Sequence, residues 1–404
     1  MLRVLRVLVA LAAAAVAAVP ARAGRILYVT ESSQSRIDGF CINPDGSLVP
    51  APAVQAPTSG GDLRRVIVGT APDGTARALY VAEADRVESF PIHADGSLGP
   101  AVFKFVTDPR DVAVWSEQNR LYVPDNTPGK KRIIAFPLDP ATGVLVPGQS
   151  SPSIVKESAA ALLEGMAFTP GRLYVSSDDQ LTNIWVDVFF LDASGNITTS
   201  NGTIDCAEVN GKVPKVCRRV IPGGARVIAL SPDASILYAD LEFARQLGTY
   251  AIAPDGTFPL VPKTKIGKKC AENPGSDACF KRVKPTSRTA PHASYLSILV
   301  HRSAAFGSVF GKGRIDAYRL KADGRLRRVV SLATPDDLRL SPVRMTASDT
   351  VLYVATGLFD EVRAYPLSRK TGALASSSPF SATNQQTGSF PNDVAIAVLS
   401  GPCG

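Results

Sequence analysis

Histidine is nearly missing from this chain: His93, His292 and His301 are the three in 404 residues. With so few imidazoles, and with no Cys-x-x-Cys spacing among the six cysteines, a zinc centre is a poor expectation, and neither a metal nor a cofactor is expected. No Gly-x-Ser-x-Gly occurs, so a Ser/His/Asp hydrolase would lack its nucleophile elbow. Helical periodicity is nearly absent, which turns the reading toward an all-β fold. Beyond Val19 no stretch approaches the roughly 18 continuous apolar residues of a transmembrane helix.

A broad basic surface is missing too. The formal charge is +8, and the first 23 residues hold three of the arginines and no acid, so without them it falls to +5. Lys263 to Arg288 alone carries six lysines and two arginines against Glu272 and Asp277. The remainder is close to neutral, which argues against nucleic acid as a partner, since a basic face normally tracks many phosphates.

Residues 1–23 have Arg3 and Arg6, an apolar run from Val7 to Val19, and Ala21-Arg22-Ala23 before Gly24. This is the three-part pattern of a secretory signal peptide. A glycine follows the cleavage site, so no lipid-anchor cysteine is indicated. The expectation is an exported protein, secreted or periplasmic and monomeric, with residues 24–404 forming a single domain.

That domain is repetitive. Seven short apolar strand signals occur: Ile26 to Val29, Leu79 to Val81, Leu121 to Val123, Leu173 to Val175, Leu237 to Ala239, Ile298 to Val300 and Leu352 to Val354. Each is followed by an aromatic (Phe40, Phe90, Phe136, Phe189, Tyr250, Tyr318, Tyr365) and then by a turn glycine (Gly46, Gly96, Gly143, Gly195, Gly256, Gly324, Gly372). A fixed unit of about 54 residues suits a four-stranded blade, and seven of them predict a seven-bladed β-propeller. The first copy starts at its second strand. The segment Asn392 to Val398 matches the inner-strand pattern of Arg110 to Val114, so the last strand should complete the first blade and close the ring.

Closure gives Cys41 and Cys403 a reason to pair, since both leave that blade on one face, about two strand spacings or roughly 10 Å apart before bending. Proximity suggests Cys206–Cys217 and Cys270–Cys279 for the rest, each inside an insert, at about 200–220 and 262–291. The lysine-rich second insert could dock an envelope polymer or other anionic surface. Asn196-Ile-Thr198 and Asn201-Gly-Thr203 fit the glycosylation acceptor pattern.

The segments Arg172-Leu-Tyr-Val175 and Val351-Leu-Tyr-Val-Ala355, with Ser231-Pro-Asp-Ala234 before Ile236, resemble the YVTN-type propeller repeat. Over residues 25–399 the chain is similar to the seven-bladed lactonase family, with its 6-phosphogluconolactonase-like and muconate-lactonizing members. The resemblance implies a His, Arg and Glu set around the channel mouth. Here Arg226 stands at the histidine position, Glu242 matches the acid, and Arg344 is a further candidate.

Aligning inner strands on their first apolar residue stacks Arg65, Asp111, Gly165, Arg226, Arg344 and Asp393. Such a ring could bind a small anion or a sugar-derived lactone, arginine presenting a fork to carboxylate; it could equally be an ion-pair network between blades. Glu31, Glu83 and Asp125, with Asp178, Asp240 and Glu242, read as solvated loop acids or as a cation-binding ring. His301 could work with Glu242 as an acid-base pair, and His93 reads as an exposed turn residue. Three functions follow: a module binding a small anionic ligand or an envelope protein or polymer, a lactone hydrolase using Arg226, Glu242 and Arg344, and a structural envelope protein.

Overall fold

The computed structural model describes residues 24–51, 56–58, 61–129, 131–148, 153–158, 162–178, 183–198, 218–222, 227–241, 246–258, 295–309, 314–321, 324, 326–333, 342–357, 361–384 and 391–403. They form a seven-bladed β-propeller of antiparallel sheets. From the inside outward, blade one is Pro391–Val398, Arg25–Glu31, Arg36–Ile42 and Leu48–Pro50. Blade two is Arg65–Thr70, Ala76–Ala82, Arg86–Pro91 and Val102–Phe105. Blade three is Ala113–Trp115, Arg120–Asp125, Lys131–Pro137 and Ser153–Ser158. Blade four is Leu162–Thr169, Arg172–Asp178, Asn183–Leu191 and Ile197–Thr198. Blade five is Ile228–Leu230, Ile236–Leu241 and Gln246–Ala251. Blade six is Tyr295–His301, Ala304–Val309, Arg314–Leu320 and Leu326–Ala333. Blade seven is Pro342–Ala347, Val351–Thr356, Glu361–Pro366 and Ser381–Asn384.

The closure is as expected. Pro391–Val398 pairs antiparallel with Arg25–Glu31, Tyr28 lying opposite Ala395. Cys41 and Cys403 are disulfide-bonded with Cα atoms 5.6 Å apart. Cys41 lies within the third strand rather than past it, opposite Ile26, so it is the chain after Val398 that bends to close the gap. Cys206, Cys217, Cys270 and Cys279, with both inserts, His292 and residues 1–23, lie outside the described residues. Pro91, Pro137 and Pro366 each end a third strand, where a missing ladder donor costs little.

In every blade but the sixth, the tyrosine of the repeat ties the blade to the next. Tyr28 donates its hydroxyl to the carbonyl of Gly96 (2.8 Å), Tyr80 to Gly143 (2.6 Å), Tyr122 to Gly195 (2.7 Å) and Tyr174 to Gly256 (3.0 Å). Tyr238 donates to Gly324 (3.2 Å), and Tyr353 closes the circle on Gly46 (3.0 Å). Each bond contributes about 1 kcal/mol net. Gly96 holds φ +88° in its turn, a backbone state that favours glycine and aims the carbonyl back at Tyr28. Around these bonds the apolar core is a set of inter-blade clusters; Tyr80, Val87, Leu121, Val123 and Phe136, from blades two and three, pack in one of them.

Blade six corrects the sequence alignment. Ile298 to Val300 is not its second strand but part of its innermost one. The second strand is Ala304–Val309, and Phe306 takes the tyrosine's register opposite Ala317. Phe306 is fully buried but has no hydroxyl to donate.

Strand register sorts the channel lining into levels. Opposite the residue that precedes the tyrosine, or Phe306, the innermost strands place Ile396, Val68, Val114, Phe168, Leu230, Val300 and Ala347. All seven are apolar and all keep partial exposure. Each innermost strand is paired on one side only, its free edge lining the channel; Val68, Val114, Phe168, Val300, Ala347 and Ile396 also pack on the inter-blade clusters. Three residues earlier in each strand, at the mouth where the innermost strands begin, stand Asp393, Arg65, Asp111, Gly165, Val227, Ser297 and Arg344.

Candidate anion site at the channel mouth

Each mouth residue lies near the start of its innermost strand, from two residues before it (Asp111) to its fourth residue (Gly165). In blades one, four, six and seven the ladder carries an irregularity at this level, two residues facing one. A bulge re-aims side chains and ends regular pairing, which is how strand starts come to present polar groups over an otherwise apolar channel.

Going round the ring, blades seven, one, two and three contribute Arg344, Asp393, Arg65 and Asp111 in succession, so cations and anions alternate. Blades four, five and six contribute Gly165, Val227 and Ser297. Among the described residues at this one level, the charged side chains therefore fall on one side of the mouth.

The aspartates are anchored. Asp393 is fully buried; its Oδ2 accepts the N–H of Val66 in the next blade (2.8 Å) and its Oδ1 that of Val394 (2.8 Å). Its own N–H donates to Thr30 Oγ1 (3.0 Å). Asp111 does the same between blades three and four: Oδ2 accepts from Met166 N–H and Oδ1 from Val112 N–H, at 2.8 and 2.9 Å. Arg65 bridges the two acids, with Nη1 3.3 Å from Asp393 Oδ2 and Nε 2.9 Å from Asp111 Oδ1. Burial opposes its charge, but the two carboxylates outweigh burial and hold its pKa above the ordinary value. About a quarter of its side chain, 27%, still meets solvent.

A second row of charges lies just outside. Arg110 reaches Glu164 (Nη1 to Oε1, 2.6 Å) and Asp108 (3.1 Å). Arg64 pairs with Asp108 and with Asp62, and the Asn126 amide bridges the backbone of Asp108 and Leu163. These groups knit blades two, three and four.

Arg344 differs from Arg65. It is half-buried, and among the described residues it makes no ion pair. Burial lowers its pKa first, and the Arg65 charge lowers it further; Asp393, Asp111 and Glu164 only partly offset the two. Arg344 is thus a cation held at the mouth by its strand and by the field of nearby carboxylates, and among the described residues its donors make no hydrogen bond.

The residues aligned by sequence meet as follows. Arg65, Asp111, Arg344 and Asp393 share one level. Arg226 and Glu242 lie outside the described residues; Val227 holds the mouth register in blade five, its carbonyl accepting from Asp240 N–H. Glu31, Glu83, Asp125 and Asp240 are buried rather than solvated, and Asp125 is neutralised by Arg132 at 2.6 Å. Among the described residues no group of three or more His, Cys, Asp or Glu is placed to hold a metal ion. His93 is exposed. His301 ends the innermost strand of blade six, at the opposite end of the channel from Leu241, which precedes Glu242.

Sequence reading passed over Glu164, Arg110 and Arg64. Each stands one residue before the aligned position, a signal visible in the same alignment. It also passed over Asp38, Glu88, Asp187 and Asp316, acids two residues before the third-strand aromatic and buried between blades.

No family model matches the chain, and no curated protein is similar to it at a significant level. Solved structures are similar in fold. The periplasmic gluconolactonase PpgL of Pseudomonas aeruginosa is 16% identical, with a TM-score of 0.65 over 93% of this chain and 99% of that one. A Bacteroides fragilis protein provisionally assigned as a 6-phosphogluconolactonase gives 15% and 0.64 over 93% and 98%. A Lactobacillus plantarum protein gives 16% and 0.62 over 93% and 99%. At such identity the likeness is one of architecture. No helix among the described residues is long and apolar enough to cross a membrane.

Proposed function

We propose that this chain is an exported binding protein whose channel mouth captures a small carboxylate-bearing ligand. The observation that carries the reading is the contrast between two arginines on one ring: Arg65 is clamped by Asp393 and Asp111, while Arg344 has no carboxylate partner among the described residues. A guanidinium held in place, partly desolvated and with free donors is a ready partner for a bidentate anion. The aspartates anchored to backbone N–H groups keep the ring rigid, so little order is lost on binding. Export is supported by the leader pattern of residues 1–23 and by the Cys41–Cys403 bond, which persists in oxidising compartments. Residues 24–404 are taken as one domain.

The test is calorimetric titration of the mature protein with sugar acids and simple carboxylates. Arg344→Ala should weaken binding at least ten-fold; unchanged affinity would remove the site.

A second reading has its own support. The similarity in fold to a periplasmic gluconolactonase brings lactone hydrolysis into view, with Arg226 and Arg344 stabilising the developing oxyanion and Glu242 activating water. A panel of sugar and dicarboxylate lactones distinguishes the two. Turnover abolished by Arg344→Ala and by Glu242→Ala would favour the hydrolase; absence of turnover alongside tight product binding would favour the binding protein.

A further inference from the structure

Beneath the charged mouth the channel turns apolar within one strand length. From Arg344 to Ala347, or from Asp111 to Val114, is three residues, about 10 Å at ~3.3 Å per residue. At that depth Val68, Val114, Phe168, Leu230 and Ile396 replace the ionic groups, all of them partly exposed. Phe168 is held as a fixed wall, its ring 5.5 Å from Trp115 and 6.1 Å from Tyr122 between centroids. The mouth is itself two-sided: Arg344, Asp393, Arg65 and Asp111 on blades seven to three, but Gly165, Val227 and Ser297 on blades four to six. A hydrophilic sugar acid would satisfy Arg344 while leaving this apolar lining wetted, and wetting apolar surface is unfavourable.

We infer that the ligand is an amphiphilic carboxylate, its head on Arg344 and an alkyl chain running down the channel against Val114, Phe168, Leu230 and Ile396. The inference rests on the carboxylate reading above and adds the chemistry of the other half of the ligand. Charge complementarity fixes the orientation: the free cation is at the mouth, and Asp393 and Asp111, with their oxygens taken by Arg65 and by backbone N–H groups, would repel a head placed on their side. The chain then follows the uncharged side inward.

The experiment is titration of the mature protein with acetate, butyrate, octanoate and dodecanoate, each below its micellar concentration. Affinity should rise at least ten-fold from butyrate to octanoate, since each methylene removed from water adds to binding. Ala347→Trp, which fills the channel one level below Arg344, should abolish that gain and leave butyrate affinity within two-fold. Leu230→Gln, which makes the lining polar without adding bulk, serves as the second variant should Ala347→Trp fail to fold. Equal affinity for all four acids, lost throughout in Arg344→Ala, would overturn the amphiphile and leave the carboxylate site standing. Long-chain binding that survives Arg344→Ala and the channel variants would mean adsorption elsewhere and would also overturn it. No binding of any acid would remove both readings.

Discussion

Asp393 and Val66 are joined by a hydrogen bond of 2.8 Å across 327 residues of chain. The strand that closes the ring is therefore held by the side chain that shapes the mouth, since the same carboxylate oxygen lies 3.3 Å from Arg65. Architecture and candidate site share a residue.

Removing that carboxylate should cost stability as well as shape. Asp393→Ala leaves the Val66 N–H without its acceptor and Arg65 with one carboxylate instead of two. Breaking a buried pair costs about 3–5 kcal/mol, and the partial exposure of Arg65 brings the expectation down to about 2–4 kcal/mol. Urea unfolding measures it. A loss within about 0.5 kcal/mol, the range of ordinary surface changes, would mean that the closure does not depend on Asp393.

The disulfide should add to the same closure. Cys41 and Cys403 are 362 residues apart, so an unfolded chain carrying the link loses much freedom, and chain-entropy reasoning puts the upper benefit at about 6 kcal/mol. Strand pairing between Arg25–Glu31 and Pro391–Val398 already holds the native ends together. A Cys41→Ser, Cys403→Ser double variant should therefore fold, with a stability lower by about 2–5 kcal/mol. Equal thermal midpoints for oxidised and reduced protein would contradict this.

The tyrosine bonds predict a graded series. Tyr122→Phe should cost about 1 kcal/mol, the net value of one hydrogen bond, and somewhat more if the Gly195 carbonyl finds no water. Tyr80→Phe should behave alike. Blade six already lives without such a bond, because Phe306 occupies the register. Differential scanning calorimetry of the two variants is the check, and a loss above about 3 kcal/mol in either would point to packing rather than hydrogen bonding.

These elements also explain which parts of the molecule were legible in the sequence. Six blades declared themselves because Leu-Tyr-Val, aromatic and glycine perform physical tasks that tolerate few substitutes: burial, an inter-blade hydrogen bond, a left-handed turn. Blade six hid because Phe306 removes the hydroxyl and Ala304-Ala305 removes the bulk, leaving the more apolar Ile298-Leu299-Val300 to mimic the signal. Arg65, Asp111, Arg344 and Asp393 could be aligned because each immediately precedes a buried apolar residue, Val66, Val112, Met345 and Val394. Their division into a clamped and a free arginine could not, since it depends on which blades are neighbours and on bulges that sequence period does not register. The burial of Glu31, Glu83 and Asp125 was hidden for a similar reason: a strand end looks solvated until the next blade covers it.

Alkaline pH should unfold the ring. Burial raises the pKa of Tyr28, Tyr80, Tyr122, Tyr174, Tyr238 and Tyr353, Tyr174 to about 12 and the others further. In the unfolded chain these phenols titrate near 10. The folded state thus binds protons that the unfolded state gives up, so the contribution is complete below about pH 10 and is lost as pH climbs toward the folded values. Each tyrosine contributes up to about 1.4 kcal/mol per pH unit in that window. Stability measured by denaturant should be level from neutral to about pH 9 and fall steeply above 10, with tyrosinate absorbance appearing only as the fold is lost. Tyrosinate formed at pH 10 without unfolding would show the rings to be accessible.

Arg344 should behave in the opposite way to Asp393. Burial and the neighbouring Arg65 lower its pKa, which means that the fold disfavours its charge. Replacing it with glutamine keeps much of the side chain's bulk and removes the cation, so stability should stay level or rise by up to about 1 kcal/mol, as at other sites where function is maintained against stability. Carboxylate binding should fall at least ten-fold in the same variant. Arg65→Gln, by contrast, leaves Asp393 and Asp111 facing each other without their shared cation and should destabilise by about 2 kcal/mol or more. Measuring both variants by urea unfolding and by titration separates the two roles: a cation that holds the ring together loses stability when removed, whereas one held by the ring for a ligand loses affinity instead.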